Sequence, residues 1–291
     1  MSPARRPGAR MGTSVYDGHP LPGPRYVYGI VPSTAPVPAR LRGVGDPAGR
    51  VSLVAHRRIA AVTSGVQRGQ PMGTPADLRA HANVLNTLVT SAPVLPMRFG
   101  GVVADQEAVV AELLARHYDT FTGRLDRLDG HEQFTIKGRY VGDIALREVL
   151  AADPEAMRLR EFLRGRAGGI WRPESIRLGE LVARALDRTK LANTDALIDA
   201  LAPHSAAIAE HATSAPDSAV QAAFLVRQPR RPGFERAAEE LGRRWHGRIR
   251  LRLVGPIAPF DFAEPPEGDE PWACLPVCLR FPLPRCAASS G

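Results

Sequence analysis

The stretch SAPVLPMRFGGVV, residues 91–103, separates two segments with helical periodicity and decides how the first half of the chain is organised. VLPM at 94–97 is short and apolar and predicts a strand. Pro96 places that strand at a sheet edge, because proline donates no ladder hydrogen bond. No nucleophile or base accompanies Arg98, so we interpret the stretch as architecture. Arg98 is expected to bond carbonyls or a carboxylate, and Gly100-Gly101 to permit close approach or positive φ.

The helices on either side of this stretch are predicted from caps and periodicity. Thr74, Pro75 and Asp77 form a helix start with a capping box. The apolar face of that helix is expected to comprise Leu78, Ala82, Leu85, Leu88 and Val89. A long helix is predicted over 105–128. Its apolar stripe is expected to comprise Val110, Leu113, Leu114, His117, Phe121, Leu125 and Leu128.

The remaining elements predict an α+β chain with two domains. Predicted strands cover 25–31, 50–56, 59–66, a segment starting at 131, 219–228 and 248–255. Further helices are predicted over 142–151, 154–166, 174–190, 194–210 and 233–246. The strand that restarts after Asp129-Gly130 sets the domain boundary near 130. The second domain is predicted to be a ferredoxin-like variant with a helical insertion.

The predicted domain limits leave a segment at each end of the chain. Residues 1–24 are rich in Pro, Gly and Arg and are expected to be a disordered leader. The N-terminal α+β domain covers 25–129, the ferredoxin-like domain covers 130–260, and a Pro-rich tail covers 261–291. The leader lacks the apolar core of a signal peptide, and no apolar run reaches membrane length, so a cytoplasmic location is expected.

The basic charge keeps one alternative function open. The chain of 291 residues has a formal net charge of +8. In RRWHGRIRLRL, residues 243–253, alternation predicts Arg248, Arg250 and Arg252 outward and Ile249, Leu251 and Leu253 inward. Arginines on one strand face suit phosphates. Against this, the arginines are interleaved with acids along the chain, and no RNP, KH, helix-turn-helix or zinc-finger signature occurs. Nucleic-acid binding therefore stays the alternative.

Motifs for catalysis or cofactor binding are missing from the sequence. G-x-x-x-x-G-K-[ST], G-x-G-x-x-G, G-x-S-x-G and H-E-x-x-H do not occur. Cys274, Cys278 and Cys286 have a spacing that is not a common zinc pattern, and we expect these thiols to have no role. We therefore expect no catalytic residue, no cofactor and no metal.

Four segments taken together resemble one known family. The segments are YVYGIV (26–31), VLPMRFG (94–100), the long amphipathic helix and RLVGPIAPFDF (252–262). They occur in the order found in the gas vesicle protein F/L (GvpF/GvpL) family, and the resemblance covers about 25–262. It implies a non-enzymatic accessory protein that contacts the small apolar gas vesicle shell protein and other gas vesicle accessory proteins during assembly. It also implies two α+β domains, the second ferredoxin-like with extra helices. The candidate structural and interaction residues are Pro96, Arg98, Phe99, Gly100, Gly255, Pro256 and Phe260.

Overall fold

The computed structural model describes residues 23–69, 72–164, 172–212, 215 and 217–263. The expected leader at 1–22 and the tail beyond Ala263 lie outside the described residues. The described part divides into two compact units, residues 126–262 forming the second and the remainder the first.

The first unit is built on an antiparallel sheet. Its strands are β1 (Arg25–Pro32), β2 (Ser52–His56), β3 (Ile59–Gly65), β4 (Leu95–Pro96) and β5 (Val102–Val103). The order is β2-β3-β1-β4, with β5 also pairing with β1. β4 is therefore an edge strand, which is where a proline can be accommodated. β1 is the centre of this unit, since every residue but its last is buried.

Three helical segments accompany this sheet. They are α1 (Pro75–Leu88), the short α2 (Gln106–Ala108), which continues as a π-helical segment at Val109–Ala115, and α3 (Tyr118–Leu128). The prediction of one α-helix over 105–128 is therefore wrong in detail, because seven of its residues have π-helical hydrogen bonding. The predicted stripe nevertheless holds most of its buried side chains, including Leu113, Phe121 and Leu125.

The buried face of α1 differs from the predicted one. The capping box is confirmed: the Thr74 side chain accepts from the Asp77 N–H, and Asp77 accepts from the Thr74 N–H. Leu78, however, is 50% exposed, whereas Asp77 and His81 are buried. Leu85, Leu88 and Val89 are buried as predicted, so the difference is confined to the first turns, where polar groups elsewhere in the unit bind Asp77 and His81.

The second unit is an antiparallel sheet with helices on one face. Its elements are β6 (His131–Tyr140), α4 (Ile144–Ala152), α5 (Pro154–Arg164), α6 (Arg172–Leu201), β7 (Ala207–Glu210), β8 (Ser218–Arg227), α7 (Arg231–Arg244) and β9 (Ile249–Ile257). The strand order is β7-β8-β6-β9. Its main core joins sheet side chains to α6 and α7 and includes Phe134, Ile136, Phe224, Leu197, Leu201, Phe234 and Leu241.

Two sequence predictions in this unit are wrong. The helices expected over 174–190 and 194–210 are one helix, α6, of 30 residues. Residues 207–210 form the short strand β7, because pairing with β8 overrides the helix propensity of its alanines. On β9, Leu253 stands across from Ile136 and so faces the core side as predicted, but it is 38% exposed. β9 is an edge strand, and the core covers Ile249 more completely than it covers the middle of the strand.

Candidate functional site

Backbone contacts fix the LPMRFG motif, residues 95–100, against β1. The Met97 N–H donates to the Tyr28 carbonyl at 2.9 Å, and the Val27 N–H donates to the Gly101 carbonyl at 2.9 Å. The Gly100 N–H donates to the Tyr26 hydroxyl at 3.0 Å. Gly100 has φ of 99°, so the turn uses a conformation that favours glycine.

An aromatic cluster of Tyr26, Tyr28, His81 and Phe99 lies beneath this motif. The Tyr26 hydroxyl is 2.9 Å from Nδ1 of His81. The His81 ring stacks on Tyr28 at 5.6 Å between centroids, and Phe99 meets His81 edge-on at 5.6 Å. Residues from β1, α1 and the motif thus form one group, buried except for part of Phe99, which fixes the direction in which the chain leaves β4.

Burial determines the protonation state of this cluster. Desolvation lowers the pKa of His81 from its ordinary value to about 4, while a hydrogen bond with the Met97 backbone opposes the shift. Burial also raises the pKa of Tyr26 and of Tyr28 above the ordinary value. His81 is therefore a neutral ring at physiological pH, hydrogen-bonded to the neutral Tyr26 hydroxyl and stacked on Tyr28.

The Tyr28 hydroxyl extends the network into the loop before β2. It accepts the Val44 N–H at 2.7 Å and bonds the Ser64 hydroxyl at 2.8 Å. A Cβ on Gly43 would stand only 1.9 Å from this hydroxyl. Gly43 is thus required because the backbone passes directly over the phenol.

Asp77 connects the start of α1 to the same loop. Its carboxylate accepts from the N–H groups of Gly45 at 3.1 Å and Gly73 at 3.2 Å, and from the Thr74 hydroxyl at 2.7 Å. The hydrogen bond from the Thr74 side chain, together with these backbone bonds, holds the pKa of Asp77 below its ordinary value. Asp77 is therefore both a helix cap and a buried anchor for the loop.

The second motif, V-G-P-I-A-P-F-D-F at 254–262, ends β9 in the second unit. A Cβ on Gly255 would stand 2.5 Å from Cδ1 of Phe134, and its φ is 155°. The register of β6 and β9 shifts here, between Gln133 and Thr135. Glycine lets β9 bulge over the Phe134 ring.

Asp261 fixes the segment that follows the bulge. Its carboxylate accepts a short hydrogen bond from the Gln133 side-chain amide, and its own N–H donates to the Gln133 amide oxygen at 3.2 Å. Its other oxygen is 3.0 Å from Nε2 of His211. Since Gln133 is 1% exposed, Asp261 satisfies a polar group that has no access to solvent.

The predicted site residues fall into two groups. Pro96, Arg98, Phe99 and Gly100 belong to the first unit, whereas Gly255, Pro256 and Phe260 belong to the second. Pro96 is buried, Phe99 and Pro256 are half-buried, and Arg98 and Phe260 are exposed.

The polar residues that carry both networks were not predicted as site residues. Tyr26 and Asp261 lie inside motifs that carry the family resemblance, Asp77 belongs to the predicted capping box, and His81 lies on the helix that this box begins. Their sequence signal was weak, because a buried polar side chain can be recognised only once its partner is known.

The described residues offer no cluster of metal-binding side chains. Among the residues that the structure describes, no group of three His, Cys, Asp or Glu side chains is arranged to hold a metal ion. Cys274, Cys278 and Cys286 lie outside the described residues. Within the same described ranges, no helix has the length and apolar character required to cross a membrane.

Comparison with known proteins gives consistent matches over most of the chain. The family model described as gas vesicle synthesis protein GvpL/GvpF matches residues 24–264. Gas vesicle protein F of Streptomyces sp. (strain CB03234) is 34% identical over 244 residues, which span 82% of this chain and 99% of that protein. Gas vesicle protein L of the same strain is 28% identical over 269 residues, spanning 84% of this chain and 94% of that protein.

Solved structures agree in fold. The crystal structure of the gas vesicle protein GvpF from Anabaena sp. PCC7120 is 23% identical, with a TM-score of 0.69, and covers 84% of this chain and 99% of that chain. The GvpF structure from Microcystis aeruginosa has a TM-score of 0.67 at 24% identity, covering 84% of this chain and all of that one. Both motif regions fall within the residues matched by the family model. Because that match covers most of the chain, the chain belongs to the gas vesicle synthesis protein GvpL/GvpF family.

Proposed function

We propose that this protein is an assembly factor that binds the gas vesicle shell protein and other gas vesicle proteins while the vesicle forms. Family membership gives the chain a role in gas vesicle formation. The observation that carries the proposal is the match to gas vesicle protein F over 99% of that protein's length. Binding of the shell protein goes beyond family membership. It is argued from the tendency of apolar shell subunits to aggregate before they join the shell.

An assembly of small apolar subunits needs a partner that shields them. Monomers with exposed apolar surface aggregate unless that surface is covered until they add to the shell. A folded protein covers such a surface with a sheet edge or an apolar groove. Exposed Met157 on α5 and Ile176 and Leu191 on α6 are side chains of the kind that such a contact uses.

The motif residues divide into those that shape the backbone and those that can reach a partner. We propose that Pro96, Phe99, Gly100, Gly255 and Pro256 position their segments. Arg98 and Phe260 are the exposed members of the set, and we propose them as contact residues.

The finer description of the fold belongs to the same proposal. We infer a ferredoxin-like second domain of about 130–260, since its strand order is β7-β8-β6-β9 and helices connect β6 to β7 and β8 to β9. α4, α5 and the first half of α6 would be the helical insertion. The N-terminal domain would cover 25–129, which is supported by the division between Leu125 and Asp126.

The proposed role is not enzymatic and places the protein in the cytoplasm with the forming vesicle. The proposed role needs no cofactor, and the matches to gas vesicle proteins F and L do not support the nucleic-acid-binding alternative.

Deletion of the gene and reintroduction of the full chain test the proposal. Electron microscopy is expected to show no vesicles without the protein and vesicles again after complementation. An affinity pull-down from vesicle-forming cells is expected to recover the shell protein. Normal vesicles in the deletion strain would contradict a role in formation. Recovery of no vesicle component would contradict the binding step alone.

A further inference from the structure

The second unit carries an exposed group of cations on the sheet face opposite its helices. Lys137 and Arg139 of β6 stand directly across from Arg252 and Arg250 of β9. All four are exposed, and we refer to them as the cationic face. Successive side chains of a strand alternate between faces, so these residues share the side of Gln133 and Thr135, not the core side of Phe134 and Ile136.

The charge of this face is only partly balanced within the chain. Arg139 bonds Asp217 at 3.0 Å, in a pair with both side chains more than half exposed. Among the residues that the structure describes, Lys137, Arg250 and Arg252 have no ion pair. Like charges directly across a strand pair oppose pairing of the strands. The two adjacent cationic pairs therefore contribute no stability to the fold.

The cationic face borders an open sheet edge. β9 pairs with β6 on one side, and no strand in the described ranges pairs with its other side. Along this edge, Arg250 and Arg252 point to one face, and Leu251 and Leu253 to the other. Leu251 is half-buried and Leu253 is exposed, so the edge offers backbone groups, alternating cations and apolar surface together.

We infer that the β9 edge binds an extended acidic segment of a partner polypeptide, which adds to the sheet as a further strand. In that arrangement every second side chain of the segment is a carboxylate facing Arg250 and Arg252. The intervening apolar side chains face Leu251 and Leu253. A strand supplies groups on both faces at the two-residue spacing of β9, and its backbone bonds the open edge. A nucleic acid would use the cations but neither the leucines nor the edge.

This inference rests on the proposed function only for the identity of the partner, since an assembly factor must bind another vesicle protein. The chemistry of the surface is tested with synthetic peptides. Absence of peptide binding therefore overturns this inference and leaves the proposed function standing. Normal vesicles in the deletion strain overturn the proposed function and leave the peptide-binding inference standing.

Zero-length crosslinking is a direct test, because Lys137 is one of only two lysines in the chain, the other being Lys190. The full chain is mixed with a ten-residue peptide of alternating glutamate and valine and treated with a carbodiimide, which joins a lysine amine to a carboxylate. We expect the peptide to link to Lys137 and not to Lys190. A peptide of the same composition, with all glutamates at one end, is the matched control and is expected to link weakly.

Binding measurements on variants test the arginines. The double variant Arg250→Gln, Arg252→Gln is expected to weaken binding of the alternating peptide about tenfold, because two cross-strand charge pairs with the peptide are lost. High salt is expected to weaken it further. The same double variant is expected to unfold at an unchanged or higher temperature, because it removes like-charge repulsion. A fall in unfolding temperature with unchanged peptide affinity would mean that the arginines are structural, and would overturn the inference.

Three other results would also overturn it. Equal binding of the alternating and the block peptide would show that the alternation of glutamate and valine is not recognised. Tighter binding of a single-stranded oligonucleotide of equal charge would assign the face to nucleic acid. A crosslink between Lys137 and the chain's own carboxylates at 264–270, unaffected by added peptide, would assign the face to an occupant within the chain.

Discussion

The Tyr26 hydroxyl lies 2.9 Å from Nδ1 of His81, and both side chains are buried. This contact joins β1 to α1. The same hydroxyl accepts the Gly100 N–H, so it also holds the end of the LPMRFG motif. The motif is therefore fixed by a residue seventy-four positions earlier in the chain.

Stability is expected to depend on pH through His81. The folded-state pKa of about 4 lies below the ordinary value of 6.5, so the unfolded chain binds the proton more readily. The free energy of unfolding should therefore be constant above about pH 6.5 and fall as the pH approaches 4, by roughly 3 kcal/mol in total. Urea unfolding at a series of pH values measures this slope.

A matched pair of variants assigns that slope. His81→Gln removes the titrating ring and should flatten the curve between pH 4 and 6.5. The pKa of His117 is also lowered by burial, so His117→Gln should remove only a smaller part. A curve left unchanged by His81→Gln would contradict the assignment.

Gly43→Ala is expected to destabilise the first unit by about 3 kcal/mol, since overpacking a rigid site typically carries such a penalty. The added Cβ would stand 1.9 Å from the Tyr28 hydroxyl and 2.7 Å from Oγ of Ser64. Gly179→Ala on α6 is the control. No atom lies within 4 Å of its Cβ, and alanine favours a helix over glycine by about 1 kcal/mol. Thermal unfolding should move in opposite directions for the two variants.

Asp261→Ala should destabilise the second unit by about 2 kcal/mol, because the buried Gln133 amide loses its carboxylate acceptor and its NH2 group keeps only the long contact with Thr135 Oγ1 at 3.4 Å. Asp217→Ala removes an exposed pair with Arg139 and should change stability by less than about 1 kcal/mol. Chemical denaturation compares the two. Equal effects would show that the Gln133 contact contributes no more than a surface ion pair.

Arg98→Gln is expected to reduce vesicle number in complemented cells while changing the free energy of unfolding by at most about 1 kcal/mol, the usual limit for an exposed polar contact. Arg79→Gln, an exposed arginine of α1 outside the motif, should affect neither property. Electron microscopy and thermal unfolding give the two readouts. Normal vesicle numbers with Arg98→Gln would remove Arg98 from the proposed contact surface.

Local chemistry made parts of the fold predictable. The Thr74–Asp77 capping box, the buried β1 and the edge position of Pro96 follow from rules that involve few neighbouring residues. Elements that depend on distant partners were mispredicted. β7 is alanine-rich and is a strand because β8 lies beside it. His81 displaces Leu78 from the core because Tyr26 and Phe99 surround its ring.

The sequence by itself determined the element types near strong caps and turns, the α+β class and the family motifs, since these depend on short-range chemistry and on residue order. Only the tertiary structure decided which polar residues are buried and which cations share one sheet face. Those properties depend on strand register: Lys137 meets Arg252 only because β6 and β9 pair in one particular alignment. Hydrogen-bond partners are far apart along the chain, as with Gln133 and Asp261, and a pattern read along the sequence does not identify them.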